Sequence, residues 1–269
     1  MDNMGPINPT WYLSDTTSSI NTIVRKQWVG FDNAPTTLIF NGHVPFNSID
    51  AATGLNLSYD TFGPEKLLNV SAFFAKTVRL SRRGQHLSAS LNLGVRRYEA
   101  IYSSLDSQDP SFRDDILKTI GTIGWGVMFY KPEEYFVGIS MPQLNLKKSG
   151  TASGIEMSTP YYGMMGYLAK VSDVFKIKPI AMVTLIEGLP TNYDFSTTLY
   201  IQDVLGLGLS YGKSRELGTR FSIFPSKNLR VSYSYQFGTE SYGMSNKTNN
   251  THEIALGYRF GKGVTKKLL

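Results

Sequence analysis

The sequence predicts an all-β protein: a transmembrane antiparallel β-barrel of about 14 strands that forms a single domain. Two features indicate this fold, namely strand-length segments that alternate apolar and polar residues and connections that alternate between short and long. In addition, no stretch approaches the roughly 20 apolar residues of a membrane-spanning helix. The longest apolar run, 180–186, is interrupted by Thr184. Strands in hydrocarbon must close into a barrel because an open sheet edge has no hydrogen-bond partner there.

The alternation is clearest in segment 85–95. Successive side chains of a strand point to opposite faces. One face of this segment carries only apolar side chains, those of Leu87, Ala89, Leu91, Leu93 and Val95. The other face is small and polar, and the same pattern recurs in 123–130, 205–212, 229–237 and 253–260. Such strands match a barrel that has lipid outside and water or a plug inside. The polar inner face also explains a mean hydropathy of only −0.17.

Fourteen segments have this strand character, with ends defined to within a few residues. The predicted strands are 20–29, 36–46, 50–61, 67–79, 84–97, 120–130, 134–142, 160–172, 174–186, 192–201, 203–212, 217–225, 228–238 and 251–261.

The connections supply a second signal. Those after even-numbered strands are short, whereas those after odd-numbered strands are mostly longer, notably 98–119, 143–159 and 239–250. Outer-membrane barrels have short periplasmic turns and longer extracellular loops. With an even strand count, both termini are then predicted to be periplasmic. Within the first long loop, 111–120 is predicted to form one or two helical turns.

The chain divides into an N-terminal periplasmic or plug segment (1–19), an outer-membrane barrel (20–261) and a C-terminal tail (262–269). Barrels of eight strands are filled by their side chains, and those of 16 strands hold a channel. A lumen of about 14 strands is therefore expected to be open or to hold a segment such as 1–19. An outer-membrane protein needs an export signal, so we expect this numbering to start after a signal peptide.

The composition argues against several classes of function. There is no cysteine, and the three histidines have no close spacing, so neither a transition-metal site nor a cofactor is predicted. His86 and Ser88 share a strand face, but they lie on the polar side and are interpreted as a lumen pair and not as a lipid-cleaving dyad. The net charge of +6 is scattered, which predicts no nucleic-acid partner.

Two stretches near the first strand carry a family pattern. Residues 24–30 and 34–37 resemble the R-x-Q-W-x-G…A-P-x-T signature of the PorP/SprF family, outer-membrane proteins of the type IX secretion system in Bacteroidetes. The signature positions are Arg25, Gln27, Trp28, Gly30, Ala34 and Pro35. Asn8 and Pro9 resemble an upstream family element, and His252 and Glu253 resemble part of its closing strand. The resemblance extends from residue 3 to residue 260.

This resemblance implies a non-enzymatic barrel that retains or anchors a secreted surface protein, such as an adhesin with a C-terminal sorting domain. It also implies periplasmic partners from the secretion or gliding machinery, besides the outer-membrane lipid. The strand number and the polar lumen leave an alternative function open, a passive diffusion channel for small solutes.

The candidate site residues have structural or partner-binding interpretations. If Arg25 and Gln27 face the lumen, we expect them to hold the segment of Asn8 and Pro9 by hydrogen bonds to its backbone; contact with an exported partner is the alternative. Trp28 is expected to anchor a strand end at the membrane interface. For His252 and Glu253 we favour a hydrogen-bonded pair at the strand end over partner binding.

Overall fold

The computed structural model describes residues 3–104, 115–146, 158–213, 216–238 and 250–261. Across these residues, strands that are antiparallel to both neighbours form a closed barrel. The strands are β1 (Ser18–Lys26), β2 (Thr36–Phe46), β3 (Ala51–Phe62), β4 (Glu65–Arg79), β5 (His86–Ala100), β6 (Ile116–Lys131), β7 (Tyr135–Asn145), β8 (Pro160–Tyr167), β9 (Ala169–Lys170), β10 (Phe175–Ile186), β11 (Asn192–Ile201), β12 (Leu205–Gly212), β13 (Glu216–Ile223), β14 (Leu229–Gly238) and β15 (Thr251–Phe260).

The barrel wall has 14 strands, as the sequence predicts. The segments β8 and β9 are two parts of one strand, interrupted at Leu168, and both pair with β10 in the same register. The barrel closes where β1 pairs with β15, from Ser18 opposite Phe260 to Lys26 opposite His252.

Exposure confirms which face of the strands is apolar. In β5, Leu91 and Leu93 are each 64% exposed on the outer surface, whereas Ser88 and Asn92 are 1% and 2% exposed on the inner one. Outward-facing leucine, valine, isoleucine and aromatic side chains continue around the wall. This apolar belt is the surface that a barrel presents to lipid.

The two ends of the barrel differ. At one end, which we call the turn end, tight connections join β2 to β3, β6 to β7 and β11 to β12. The first and last residues of the wall, Ser18 and Phe260, stand at this same end. The opposite, loop end carries the longer connections 101–115, 146–159 and 239–250. Three connections there are short. Gly63, with φ of +58°, and Pro64 alone join β3 to β4, while 187–191 and 213–215 join β10 to β11 and β12 to β13.

The helical turns predicted over 111–120 are wrong for residues 116–120, which belong to β6; residues 111–114 lie outside the described ranges. Strands β5 and β6 pair as far as Ala100 opposite Ile116. The alternation of apolar and polar residues stops before the strands do, because the strands extend past the apolar belt. Arg97 and Lys66 there form ion pairs with Glu99, at 3.8 and 3.7 Å.

Helical structure in the described residues is limited to short 3₁₀ turns, Pro9–Ser14, Asn47–Ile49 and Tyr102–Ser104. None of these helices is long and apolar enough to cross a membrane. The predicted C-terminal tail, 262–269, lies outside the described residues.

Candidate functional site

The most distinctive feature of the molecule is an N-terminal segment (residues 3–17) that lies inside the barrel. Its residues Met4, Asn8, Thr10 and Tyr12 are almost completely buried. The segment begins next to β2, turns through the 3₁₀ helix Pro9–Ser14 and joins β1 at the turn end. Its contacts are with inward-facing side chains and with backbone carbonyls of the wall.

Asn8 fixes the centre of this segment. Its Nδ2 donates to the carbonyl oxygens of Val127 on β6 and Ile139 on β7, both at 3.3 Å. Its Oδ1 accepts from the backbone N–H of Thr10 at 3.2 Å and from the Thr10 hydroxyl at 2.7 Å. Asn8 thereby caps the 3₁₀ helix, and Pro9 suits the first helical position because it has no N–H to satisfy.

Two glycines in the wall make room for Asn8. A Cβ atom at Gly126 would lie 2.2 Å from Asn8 Oδ1, and one at Gly138 would lie 3.1 Å from Asn8 Nδ2. Any larger residue at Gly126 would therefore collide with the segment. The sequence pattern predicts only a small, polar inner face, so it does not single out Gly126 or Gly138 as places where the segment approaches the wall.

Aromatic packing fixes the helix of the segment against the wall. The Tyr12 ring stacks on His43 and Phe73, with centroids 4.6 and 5.0 Å away, and its hydroxyl donates to Asn56 Oδ1 at 3.1 Å. Burial raises the pKa of Tyr12 well above its ordinary value, so the phenol is neutral. Trp11 meets the Phe136 ring edge-on at 4.8 Å. Together these contacts tie the segment to β2, β3, β4 and β7.

Beneath the segment, the inner wall carries a patch that is apolar and not polar. We call it the lumen cluster; Ile7, Trp11 and Leu13 pack against it. Its buried wall members are Met128, Tyr130, Phe136, Met164, Leu168, Ile180, Tyr200 and Phe224, and Met4 of the segment is buried among them. The strand alternation predicts a small, polar inner face, so this patch departs from the expected pattern. It gives the segment an apolar surface on which to bury its own side chains.

Polar contacts hold both ends of the segment. Asn3 Nδ2 donates to Asn41 Oδ1 at 3.1 Å. At the turn end, Asp15 forms an ion pair with Arg259, with 2.8 Å between Oδ2 and Nε. A paired carboxylate and guanidinium that are mostly buried give an orientation-specific contact.

The segment does not fill the lumen. Beside it, toward the loop end, lies a cavity of about 300 Å³ that Arg25, Asp194 and Glu253 help to line. A smaller cavity of about 70 Å³ lies toward the turn end. Asn3 and Arg230 contribute to the lining of both. Both cavities lie mainly on the side of the lumen formed by β10 to β15 and β1.

The structure does not bring Arg25 or Gln27 to Asn8 and Pro9 as predicted. Asn8 takes its hydrogen-bond partners from Thr10, β6 and β7. Arg25 does face the lumen, on β1, but it lines the larger cavity. The prediction was wrong because the spacing of the signature does not show which part of the wall the segment contacts. Inside the lumen, Asn8 lies against β6 and β7.

The remaining signature residues form the connection from β1 to β2. The N–H of Gln27 donates to the carbonyl oxygen of Pro35 at 2.9 Å, and Ala34 precedes this closing contact. Strand β1 ends at Lys26 and not at residue 29 as predicted. Trp28 therefore lies in the loop-end turn, with φ of +49°, and not within the strand. Gly30 has φ of +105°, a conformation that suits glycine.

His252 and Glu253 do not pair with each other, contrary to the prediction. Neighbouring residues of a strand face opposite sides, and here one faces out and the other in. His252 Nδ1 lies 2.8 Å from the hydroxyl of Tyr233 on the outer surface. Glu253 Oε1 lies 3.3 Å from Arg220 Nη2 inside the lumen.

A further luminal residue, Arg96 of β5, was not singled out from the sequence. Its guanidinium donates to Asn69 Oδ1 on β4 at 2.9 Å. It also donates to Gln143 Oε1 and Asn145 Oδ1 on β7, at 2.5 and 3.2 Å. One side chain thus joins three strands near the loop end.

We expect Arg96→Met to lower the free energy of unfolding by about 2–4 kcal/mol, because one buried and two half-buried acceptors lose a charged donor. Arg96→Lys should lose about half as much, since an ammonium group reaches fewer of these acceptors than the guanidinium fork does. Urea unfolding in lipid vesicles, followed by the heat-dependent mobility of the folded band, measures both variants. Equal stability of Arg96→Met and the unmodified protein would contradict this role.

Within the described ranges, no group of three or more histidine, aspartate or glutamate side chains is arranged to hold a metal ion. The site is therefore a packed segment with polar cavities beside it.

The fold and the site define a class. A closed 14-strand barrel with an apolar exterior is the architecture of outer-membrane β-barrel proteins. The toluene transporter TbuX of Ralstonia pickettii has a similar fold, with a TM-score of 0.58 and 10% identity over 96% of this chain and 93% of that one. Omp33 of Acinetobacter baumannii has a TM-score of 0.55 and 11% identity over 91% of this chain and 98% of that one. At such identities the likeness concerns the fold alone.

The family is established from the sequence. The model of the family described as "Type IX secretion system membrane protein PorP/SprF" matches residues 1–258, and the chain belongs to this family. No curated protein has significant sequence similarity to the chain. The protein is thus an outer-membrane barrel of the type IX secretion family.

Proposed function

We propose that this barrel retains or anchors a secreted cell-surface protein and links it to periplasmic components of the secretion or gliding machinery, without enzymatic activity. The observation that carries the proposal is the N-terminal segment seated in the lumen. A segment bound through Asn8, Tyr12 and Asp15 narrows any passage, which suits a scaffold better than a wide pore.

The orientation belongs to the same proposal. Short turns in outer-membrane barrels face the periplasm, and the wall begins and ends at the turn end of this barrel. Both ends of the barrel wall, Ser18 and Phe260, then face the periplasm, where the machinery is accessible. The long loop-end connections face outward, where they meet a surface protein such as an adhesin with a C-terminal sorting domain.

Deleting the gene tests this function. We expect the partner adhesin to disappear from the cell surface and to appear in the medium or in the periplasm, and a plasmid copy of the gene should restore display. Proteins captured with the tagged barrel from solubilised membranes should include the adhesin and periplasmic components. Undiminished surface display after deletion would refute the anchoring role.

The alternative is a passive diffusion channel, and the larger cavity of about 300 Å³ favours it. The similar structure TbuX is described as a toluene transporter, but the shared fold does not carry this activity to a chain of 10% identity. Planar bilayer recordings separate the two functions. A scaffold with an occupied lumen gives small, infrequent currents, whereas a channel gives a large, steady one.

A further inference from the structure

An almost wholly apolar groove, with a volume of about 680 Å³, lies on the outer surface of the barrel. It crosses the wall from the turn end of β7 to the loop end of β12 and β13, and it has no charged residue in its lining. This volume lies within the range of small-molecule sites, about 300–1,000 Å³. Ordinary lipid-facing surface is convex, so a groove of this size needs a local cause.

The cause is a set of small side chains among the larger outward-facing ones. The register places Ala181 of β10 between Met165 of β8 and Phe195 of β11. In the next row, Pro179 lies opposite Thr197. Three small side chains therefore form the floor, and the large side chains on the flanking strands form the sides.

The wall is also interrupted at this floor. The ladder between β8 and β10 ends at Gly166 opposite Ile180 and resumes only at Ala169 opposite Ile177. Pro179 lies in the gap and has no N–H with which to continue the ladder. We call this interruption the β8–β10 seam.

At the seam the groove reaches the inside of the barrel. Phe136 and Ile180 line the groove, yet both belong to the lumen cluster. A Cβ atom at Gly166 would lie 2.3 Å from the Phe136 ring, so the ring packs directly against this backbone. Apolar groups are thus continuous from the outer groove to the cluster beneath the N-terminal segment.

We propose that the β8–β10 seam binds one acyl chain of a membrane phospholipid, inserted along the groove as far as Phe136. An acyl chain is the occupant because the lining is uncharged and the groove opens into the hydrocarbon region around the barrel. An acyl chain in the groove supplies van der Waals contacts that the side chains around an empty gap would lack. This inference is independent of the anchoring function, since it concerns lipid and not an exported partner.

Photo-crosslinking tests the site. The full-length protein is placed in vesicles that contain phosphatidylethanolamine with a diazirine in one acyl chain, then irradiated and mapped by mass spectrometry. We expect crosslinks on Phe136 and Ile180 as well as on Met165. Ala181→Phe, which fills the floor, should reduce the Phe136 and Ile180 crosslinks at least severalfold, and Thr197→Leu should reduce them in the same direction.

The matched control is Ala72→Phe. Ala72 also faces outward between two large side chains, Leu55 and Leu93, but on the wall formed by β3 to β5. This variant should leave the crosslinks at the seam unchanged, and gel mobility before heating confirms that each variant is folded. The proposal fails if crosslinks spread evenly over outward side chains and omit Phe136 and Ile180, or if Ala181→Phe changes nothing.

Discussion

Gly126→Val is expected to expel the N-terminal segment and to open a conducting path through the barrel. The new Cβ would lie 2.2 Å from Asn8 Oδ1 and 3.0 Å from Ser90 Oγ. Asn8 cannot move aside without losing its hydrogen bonds to Val127, Ile139 and Thr10. Overpacking of this kind costs about 1–3 kcal/mol, and release of the segment relieves it while the wall stays closed.

Single-channel recording in planar bilayers measures this result. We expect the conductance of Gly126→Val to exceed that of the unmodified barrel severalfold, and the N-terminal segment to become accessible to protease. Gly163→Val is the matched control, because a Cβ at Gly163 meets no atom within 4 Å. If the two valine variants conduct alike, the segment does not occupy the position described.

Asn8→Asp should release the segment with almost no change in side-chain shape. A carboxylate only accepts hydrogen bonds, yet the Asn8 amide nitrogen donates to two backbone carbonyl oxygens. An ionised carboxylate there would be buried opposite two oxygen atoms, and an uncompensated buried charge costs about 3–5 kcal/mol. We therefore expect a larger conductance increase than for Asn8→Ala, which removes the donors without adding charge.

The effect of Asn8→Asp should depend on pH. Burial raises the pKa of a carboxyl group in the bound segment above its value in the released segment, about 3.9. The destabilisation is then present at neutral pH and is relieved as the pH falls through the raised pKa, because the neutral acid donates again. As the pH is lowered from about 7 to about 4, the conductance of Asn8→Asp should approach that of the unmodified barrel. The conductance of Asn8→Ala should show no such change. A pH-independent difference would contradict this explanation.

The barrel itself was predictable from the sequence because one physical rule acts on every strand. Side chains that alternate between lipid and lumen fix the period of the pattern, and the connection lengths fix the two ends. Errors arose where the rule stops applying. Strands β5 and β6 extend past the apolar belt to Ala100 and Ile116, where charged outward residues replace apolar ones.

The interior was much less predictable. Alternation places a residue on the inner face but does not say which distant strand it meets, so it could not reveal Asn8 under Gly126 and Gly138. It also predicts a polar lumen and thus misses the lumen cluster around Phe136 and Met164. The signature at Gln27 and neighbouring positions indicated the family, yet its spacing alone did not reveal that these residues form a connection.

A designed disulfide between residues 8 and 126 tests the seating of the N-terminal segment most directly. The chain has no cysteine, and the Cβ position at Gly126 lies 2.9 Å from Asn8 Cγ, so the variant Asn8→Cys with Gly126→Cys introduces the two thiols side by side. We expect nearly all molecules to crosslink in the membrane, seen as a mobility shift that reductant reverses, while Asn8→Cys with Gly163→Cys stays uncrosslinked. Two free thiols that react with a membrane-impermeant maleimide would show instead that the segment lies outside the lumen.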